Sequence, residues 1–399
     1  MMRKISFGIL SCVLFMHASA QYTFFTPPGS FAIEVSLDNT KMKRLPSNRN
    51  AISSLAVVDD LIVGGTTAQE GLTPFLFVAS ISGKELREFR ELETVVPGQK
   101  SISTGFFKSG QRTLYAGTIP NGVKNGGKDG HIIEVKIGQN GIGEINDLGV
   151  PVKGEGIHAL AIDEKLGVLY GVTYPTGIFF TFNIKTKAAK TYKELVPNQQ
   201  QLRKLQDEFG LTPDDYICKA LALDNNGNVY GSLPINRLFS FDSKAQKINI
   251  LKDSLPEVWG RNVLGQVESW AKSKDGKLYG GNAGDGQLFV LDPTTRKIKN
   301  LGKPVMVNRL RGLTFGKDGK LYGIAGALPG YSHLFSYDER EGYKDYGNPQ
   351  FTMVAPGIEQ GIDWRGFQLG SITSSPDGKY IVIGEDESLS QLLVFPVSN

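Results

Sequence analysis

Histidine is scarce in this chain, four among 399 residues, and three of them, His131, His158 and His333, recur at places that a repeated pattern could bring to one rim. An imidazole that titrates near neutral pH is a natural proton carrier. The same rim would receive Lys219, Arg237 and Arg311 together with one carboxylate, Glu268. Cations beside a histidine depress its pKa and attract an acidic ligand. A hard-cation site would instead want several Asp, Glu or Asn oxygens converging. The set therefore predicts an anionic ligand and no metal or other cofactor. The plain alternative is a solvated rim where a channel meets water.

Other chemistry is excluded by counting. Of two cysteines, Cys12 falls in a leader-like segment, which leaves Cys218 unable to form an internal disulfide or a thiolate zinc site. A single Cys in a strand reads as packing. GNAGDG (281–286) and NGGKDG (125–130) resemble phosphate loops but precede strands, so they read as ordinary loops. No GxSxG elbow, HExxH or EF-hand pattern occurs.

The elements that must position these residues are repeats. LALDNNGNVYGSLPINRLFSFD (221–242) returns as AKSKDGKLYGGNAGDGQLFVLD (271–292), as 314–338 and as 160–184, with weaker copies at 55–80, 105–137 and 374–395. Each unit reads as strand a, a tight turn, strand b ending near Tyr-Gly, a loop, and an aromatic strand c. A short strand d, such as QKINIL (246–251), completes it. Asp-Gly and Asn-Gly between short apolar runs are hairpin turns. Four strands in a period of about 43 to 60 residues make a β-propeller blade. Seven copies predict an all-β, seven-bladed propeller of antiparallel four-stranded blades, one domain over 21–399. The last copy ends on strand c, so an N-terminal strand must close the ring. TKMKRLP (40–46) resembles RKIKNLG (296–302) and is expected to do so, with FAIEVSL (31–37) as the alternative. NQQQLRKLQDEF (198–209) interrupts the pattern as a helix on the face of the rim.

Aligning the copies places Ser54 or a neighbour, Ile102, His158, Lys219, Glu268, Arg311 and Gly370 at the mouths of the a-strands. The starts of the c-strands receive His131, Ile178, Arg237, Gln287, His333 and Gln391. Strands alternate in direction within a blade, so both rings lie on one face.

Residues 1–20 read as an export leader: Arg3-Lys4, an apolar run from Ile5 to Phe15, and Ala18-Ser19-Ala20 as the cleavage pattern. No later stretch reaches the roughly 18 apolar residues that a membrane span needs. The net charge of +4 falls to +2 without Arg3 and Lys4, too little for bulk capture of nucleic acid. The expected setting is the periplasm, with secretion as the alternative, and the expected form a monomer.

The run Tyr170-Gly171-x-Thr173-Tyr174-Pro175-x-Gly177, the Gly130-His131 pair and His158 one blade later resemble seven-bladed polysaccharide lyases of the ulvan-lyase type. They also resemble gut-bacterial propellers that remove L-rhamnose from glucuronic acid in arabinogalactan and gum arabic, whether rhamnose-α-1,4-glucuronate lyases or an α-L-rhamnosidase. The lyase resemblance implies a cluster of two histidines, a tyrosine and an arginine. His131, His158 and Arg237 match three of these; the tyrosine position falls on Lys219, with Tyr216 three residues upstream, so either serves for proton transfer. Glu268, Arg311 and His333 would complete the substrate contacts. The rhamnosidase resemblance implies a histidine early in the first blade, on the opposite face, where this chain has Asn50. Three readings follow: a lyase on an acidic oligo- or polysaccharide, a rhamnosidase, or a non-catalytic propeller that binds a glycan or protein.

Overall fold

The computed structural model describes residues 24–25, 29–36, 44–46, 48–110, 112–122, 129–256, 265–307, 309–326, 332–352, 363–365, 368–386 and 390–398. The leader at 1–20 and residues 40–43 of the expected closing strand lie outside these.

The chain is an all-β propeller. Three of its sheets are plain four-stranded antiparallel units in chain order, beginning with Gly156–Asp163, Val168–Tyr174, Phe179–Asn183 and Ala189–Tyr192. The unit starting at Ala222–Leu223 and that starting at Val267–Lys272 repeat this order. The unit starting at Leu310–Phe315 gains Phe24–Phe25 and Asp363–Arg365 at its outer side. Ala51–Val58 opens a unit that Gln99–Ile102 links to the next, so that nine strands form one sheet. Innermost strands touch in succession, and Leu369–Ser374 returns against Ala51–Val58.

Closure differs from the first expectation. The outer edge of Gln391–Pro396 is taken by Phe31–Glu34, antiparallel, with Ile33 opposite Leu392. Phe31, Ala32 and Ile33 are all buried, which suits a strand enclosed on both faces; the cationic 40–46 run has the composition of an exposed edge. Leu45 follows only as a neighbour, donating its N–H to Val35 O at 2.8 Å.

The Tyr-Gly signature has a packing cause. In five units the strand-b glycine faces a strand-c phenylalanine: Gly64 and Phe77, Gly171 and Phe180, Gly231 and Phe239, Gly280 and Phe289, Gly323 and Phe335. The far end of each ring covers its glycine, and each phenylalanine is fully buried. A Cβ on Gly280 would sit 2.3 Å from Phe289 Cζ, so only glycine fits. The a–b turns hold Gly227, Gly276, Gly319 and Gly378 at positive φ, as Asn-Gly and Asp-Gly turns require.

The helical interruption forms as Gln199–Arg203 with a wider turn over Lys204–Glu208, capped reciprocally by Asn198 and Gln201. Leu205 is buried beside Leu202 and Tyr216. A second short helix, Pro213–Tyr216, follows and delivers the chain to Lys219.

Candidate functional site at the mouth of the central channel

A cavity of about 700 Å³ runs down the axis between the innermost strands. Its mouth is built by one repeated device. Pairing of strand a with strand b slips between Ile52 and Ser54, Ile157 and Ala159, Val267 and Ser269, Leu310 and Gly312, and Leu369 and Ser371. The residue skipped at each slip is Ser53, His158, Glu268, Arg311 or Gly370, and all five line the cavity. A bulge leaves its extra residue outside the ladder and re-aims that side chain. Lys219, in the extended segment ahead of Ala222–Leu223, joins them. Ile102 does not: it is fully buried against Gly65.

The residue after each mouth position is small: Ser54, Ser103, Ala159, Ala220, Ser269, Gly312 and Ser371. Neighbouring strands crowd there, and the serines join them. Ser54 Oγ donates to Ile102 O at 2.8 Å, Ser103 Oγ to Ile157 O at 2.5 Å and Ser371 Oγ to Ile52 O at 3.2 Å, while Leu313 N–H donates to Ser269 Oγ at 3.0 Å.

Charge at the mouth is mostly paired. Arg309 grips Glu268 with two nitrogens, Nε donating to Oε2 at 2.6 Å. Arg311 Nη2 donates to Asp386 Oδ2 at 2.6 Å, while its buried Nε and Nη1 have no partner among the described residues. Lys219 Nζ has neither a hydrogen bond nor an ion pair among the described residues. Burial pushes its ammonium below the ordinary lysine range, Arg309 pushing the same way and Glu268, Asp214 and Asp215 opposing. Burial, reinforced by the Lys219 charge, lowers the His158 imidazole to about 4. At neutral pH it is therefore an uncharged ring, 5.2 Å from the Tyr174 ring, with Nε2 unpartnered among the described residues. Burial works to raise the Glu268 carboxyl, but the Arg309 hydrogen bond and the charges of Lys219, Arg309 and Arg311 hold it below the ordinary range.

The eight residues picked from sequence separate into two groups. His158, Lys219, Glu268 and Arg311 come together on the cavity wall. The other four are not among its lining residues. Tyr216 is in the core with its hydroxyl accepting from Gln206 Nε2 at 3.3 Å, and burial raises its pKa. Arg237 begins its strand in solvent. His131 Nδ1 meets Asp147 at 2.9 and 3.0 Å, and His333 Nδ1 meets Asp345 at 3.0 and 3.1 Å. Gln287 fills the same repeat position and accepts from Asn300 Nδ2 at 2.7 Å. In all three units the strand-d partner also accepts at 2.8 Å from a glycine N–H two residues on, Gly149, Gly347 or Gly302. Each of those glycines has positive φ. One tether, built with His or with Gln, thus fastens strand c to strand d.

Asp214, Arg309, Asp386 and Trp270 at or beside the cavity escaped the sequence reading. Asp214 enters through the helical insertion, the one part of that insertion that reaches the wall. Only the small residue after each mouth position left a usable signal, since it recurs in every copy. Asn50 is wholly buried just before Ala51–Val58, at the same end of the a-strands as His158 rather than on the opposite face. Among the described residues no group of three or more His, Cys, Asp or Glu is placed to hold a metal, and no helix is long and apolar enough to cross a membrane.

No family model and no curated protein matches the sequence. Among solved structures the chain is similar to streptogramin B lyase, at 12% identity over 88% of this chain and 95% of that one, with a TM-score of 0.59. It is similar to the WD40 repeats of RRP9 at 10% identity, 89% and 96% coverage and a TM-score of 0.56. It is also similar to the extracellular domain of BT4673 from B. thetaiotaomicron at 13% identity, covering 93% of this chain but 40% of that one, with a TM-score of 0.58. At such identities the likeness is one of fold.

Proposed function

We propose that this chain is an exported, periplasmic lyase with a seven-bladed ring, which cleaves a 4-linked uronate bond by β-elimination at the mouth of its central channel. Its substrate class is the rhamnose-glucuronate linkage of arabinogalactan or gum arabic. The observation that carries the reading is Lys219: a half-buried amine with no hydrogen bond or ion pair among the described residues, on the wall of a cavity that Arg311 also lines. A solved neighbour that is a lyase supports the reading through fold alone.

Elimination breaks the C5–H and C4–O4 bonds and forms the C4–C5 double bond. Arg311, the arginine on the cavity wall, is the anchor for the uronate carboxylate. Positive charge there stabilises the enolate-like transition state more than the ground state. Lys219 as free amine takes the C5 proton and, as ammonium, returns it to the departing O4. His158 is uncharged at neutral pH and contributes a hydrogen bond rather than a fixed charge.

Incubation with gum arabic tests this, following free rhamnose and the ultraviolet absorbance of an unsaturated uronate. Both should rise, and K219M should lower the rate by at least about a hundredfold, as loss of a general base does. Rhamnose without absorbance would mean hydrolysis. The WD40 likeness favours a second reading, a binding propeller, and saturable glycan binding without either signal would establish that instead.

A further inference from the structure

We propose that Lys219 is also a nucleophile, one that captures an aldehyde or ketone carrying an anionic group as an imine inside the central cavity. The inference uses the same cavity as the elimination but does not depend on it. Imine formation needs an unprotonated amine, room for the carbonyl compound and a counter-charge for its anionic group.

The first condition sets Lys219 apart from surface lysines. Lys136 lies 2.7 Å from Glu144, Lys277 3.1 Å from Asp275 and Lys379 2.8 Å from Asp377. Those carboxylates hold all three ammonium groups above the ordinary lysine range. Among the described residues Lys219 has no such partner. The charges that act on it are those of Asp214 and Asp215 from the short helix and of Glu268 and Arg309 from the following units, with His158 of the preceding unit on the same wall; Arg309 pairs with Glu268 by direct contact. The cavity of about 700 Å³ supplies room. The counter-charge is Arg311, which lines the same cavity and whose Nη2 is held by Asp386 at its mouth.

The step balances without an outside reagent. The Nζ lone pair adds to the carbonyl carbon as the C=O π pair moves to oxygen, and a proton passes from nitrogen to that oxygen. Loss of one water from the carbinolamine leaves the imine.

Pyridoxal 5′-phosphate is a suitable probe, with an aldehyde, a phosphate and a visible imine band. The intact protein is treated at neutral pH, reduced with borohydride and mapped by peptide mass. Lys219 should be labelled at least about tenfold faster than any other lysine, since it alone shares the cavity with Arg311. R311Q should slow that labelling, and K219R, checked for an unchanged melting curve, should abolish it. Labelling spread over surface lysines, with Lys219 no faster than the rest, would overturn the proposal. The ultraviolet assay of elimination reads a different event, so either activity can fail alone.

Discussion

A histidine at a rim can move protons or hold two strands together, and the two roles respond differently to glutamine. His131 meets Asp147 as Gln287 meets Asn300, so His131→Gln should keep the tether and cost no more than about 0.5 kcal/mol. His131→Ala should cost about 1 kcal/mol. Chemical denaturation of both variants checks this, and elimination should be unaffected in H131Q. Loss of turnover in a fully stable H131Q would return His131 to the catalytic site. His158 is separable by pH. Its imidazole lies near 4 in the folded chain against 6.5 for a free one, so between those values the unfolded chain binds a proton that the folded chain does not. Its contribution to stability is therefore constant above pH 6.5, falls as pH drops through the window by up to about 3 kcal/mol, and falls no further below about 4. The stability gap between wild type and H158Q should narrow or invert from about pH 7 to about pH 4.5. A gap that is the same at both would mean that the ring is not held neutral. The repeat alignment could place a residue at the mouth but not say where its side chain points, because one step along a strand reverses the face. His158, Glu268 and Arg311 point inward only because each sits in a bulge, and a bulge depends on the partner strand.

Elements were the more readable scale, since turns and alternation are local. The Asn-Gly and Asp-Gly turns, the tyrosine-glycine ending of strand b and the aromatic strand c all reflect contacts between residues close in sequence. The glycine-phenylalanine pairing can be tested as a lock and its release. Gly280→Ala drives a Cβ toward the fully buried Phe289 ring and should cost about 2 kcal/mol or more. Phe289→Leu alone should also destabilise, by leaving a void. Together they should cost at least about 1 kcal/mol less than the sum, because leucine vacates the space that the new methyl needs. Simple additivity in denaturant titrations would show that the strands move apart to accommodate the methyl, and that the pairing is no constraint. The helix at 198–209 was legible for the same local reason, yet the short helix Pro213–Tyr216 that brings Asp214 to the cavity was not, because that contact forms only when the chain re-enters the ring.

At the scale of the molecule the decisive contact joins residues more than 350 apart, Val35 N–H to Gln391 Oε1 at 2.8 Å, beside the pairing of Phe31–Glu34 with Gln391–Pro396. No local pattern distinguishes a closing strand from another short apolar run, so likeness to a d-strand favours 40–46 over 31–37. Burial on both faces decided between them. Phe31, Ile33, Val35 and Leu45 pack with Val382, Leu392 and Val394 in one cluster. Each such side chain contributes about 1.5–3 kcal/mol when withdrawn from water, so the closing segment is worth on the order of several kcal/mol. A chain beginning after residue 38 should therefore melt well below the full chain. It should also associate through the bared edge of Gln391–Pro396, because an unpaired apolar strand edge is a template for pairing. A synthetic peptide spanning 29–46 should restore both the melting temperature and the monomer, acting as a donated strand. The same peptide with Ile33→Asp should not, since Ile33 is 1% exposed and lies opposite Leu392. If the shortened chain stayed monomeric with an unchanged melting curve, the innermost contact of Ser371 with Ile52 would be sufficient to hold the ring. The mouth residues would then keep their places without the outer strand, and the cavity would owe its shape to the a-strands alone.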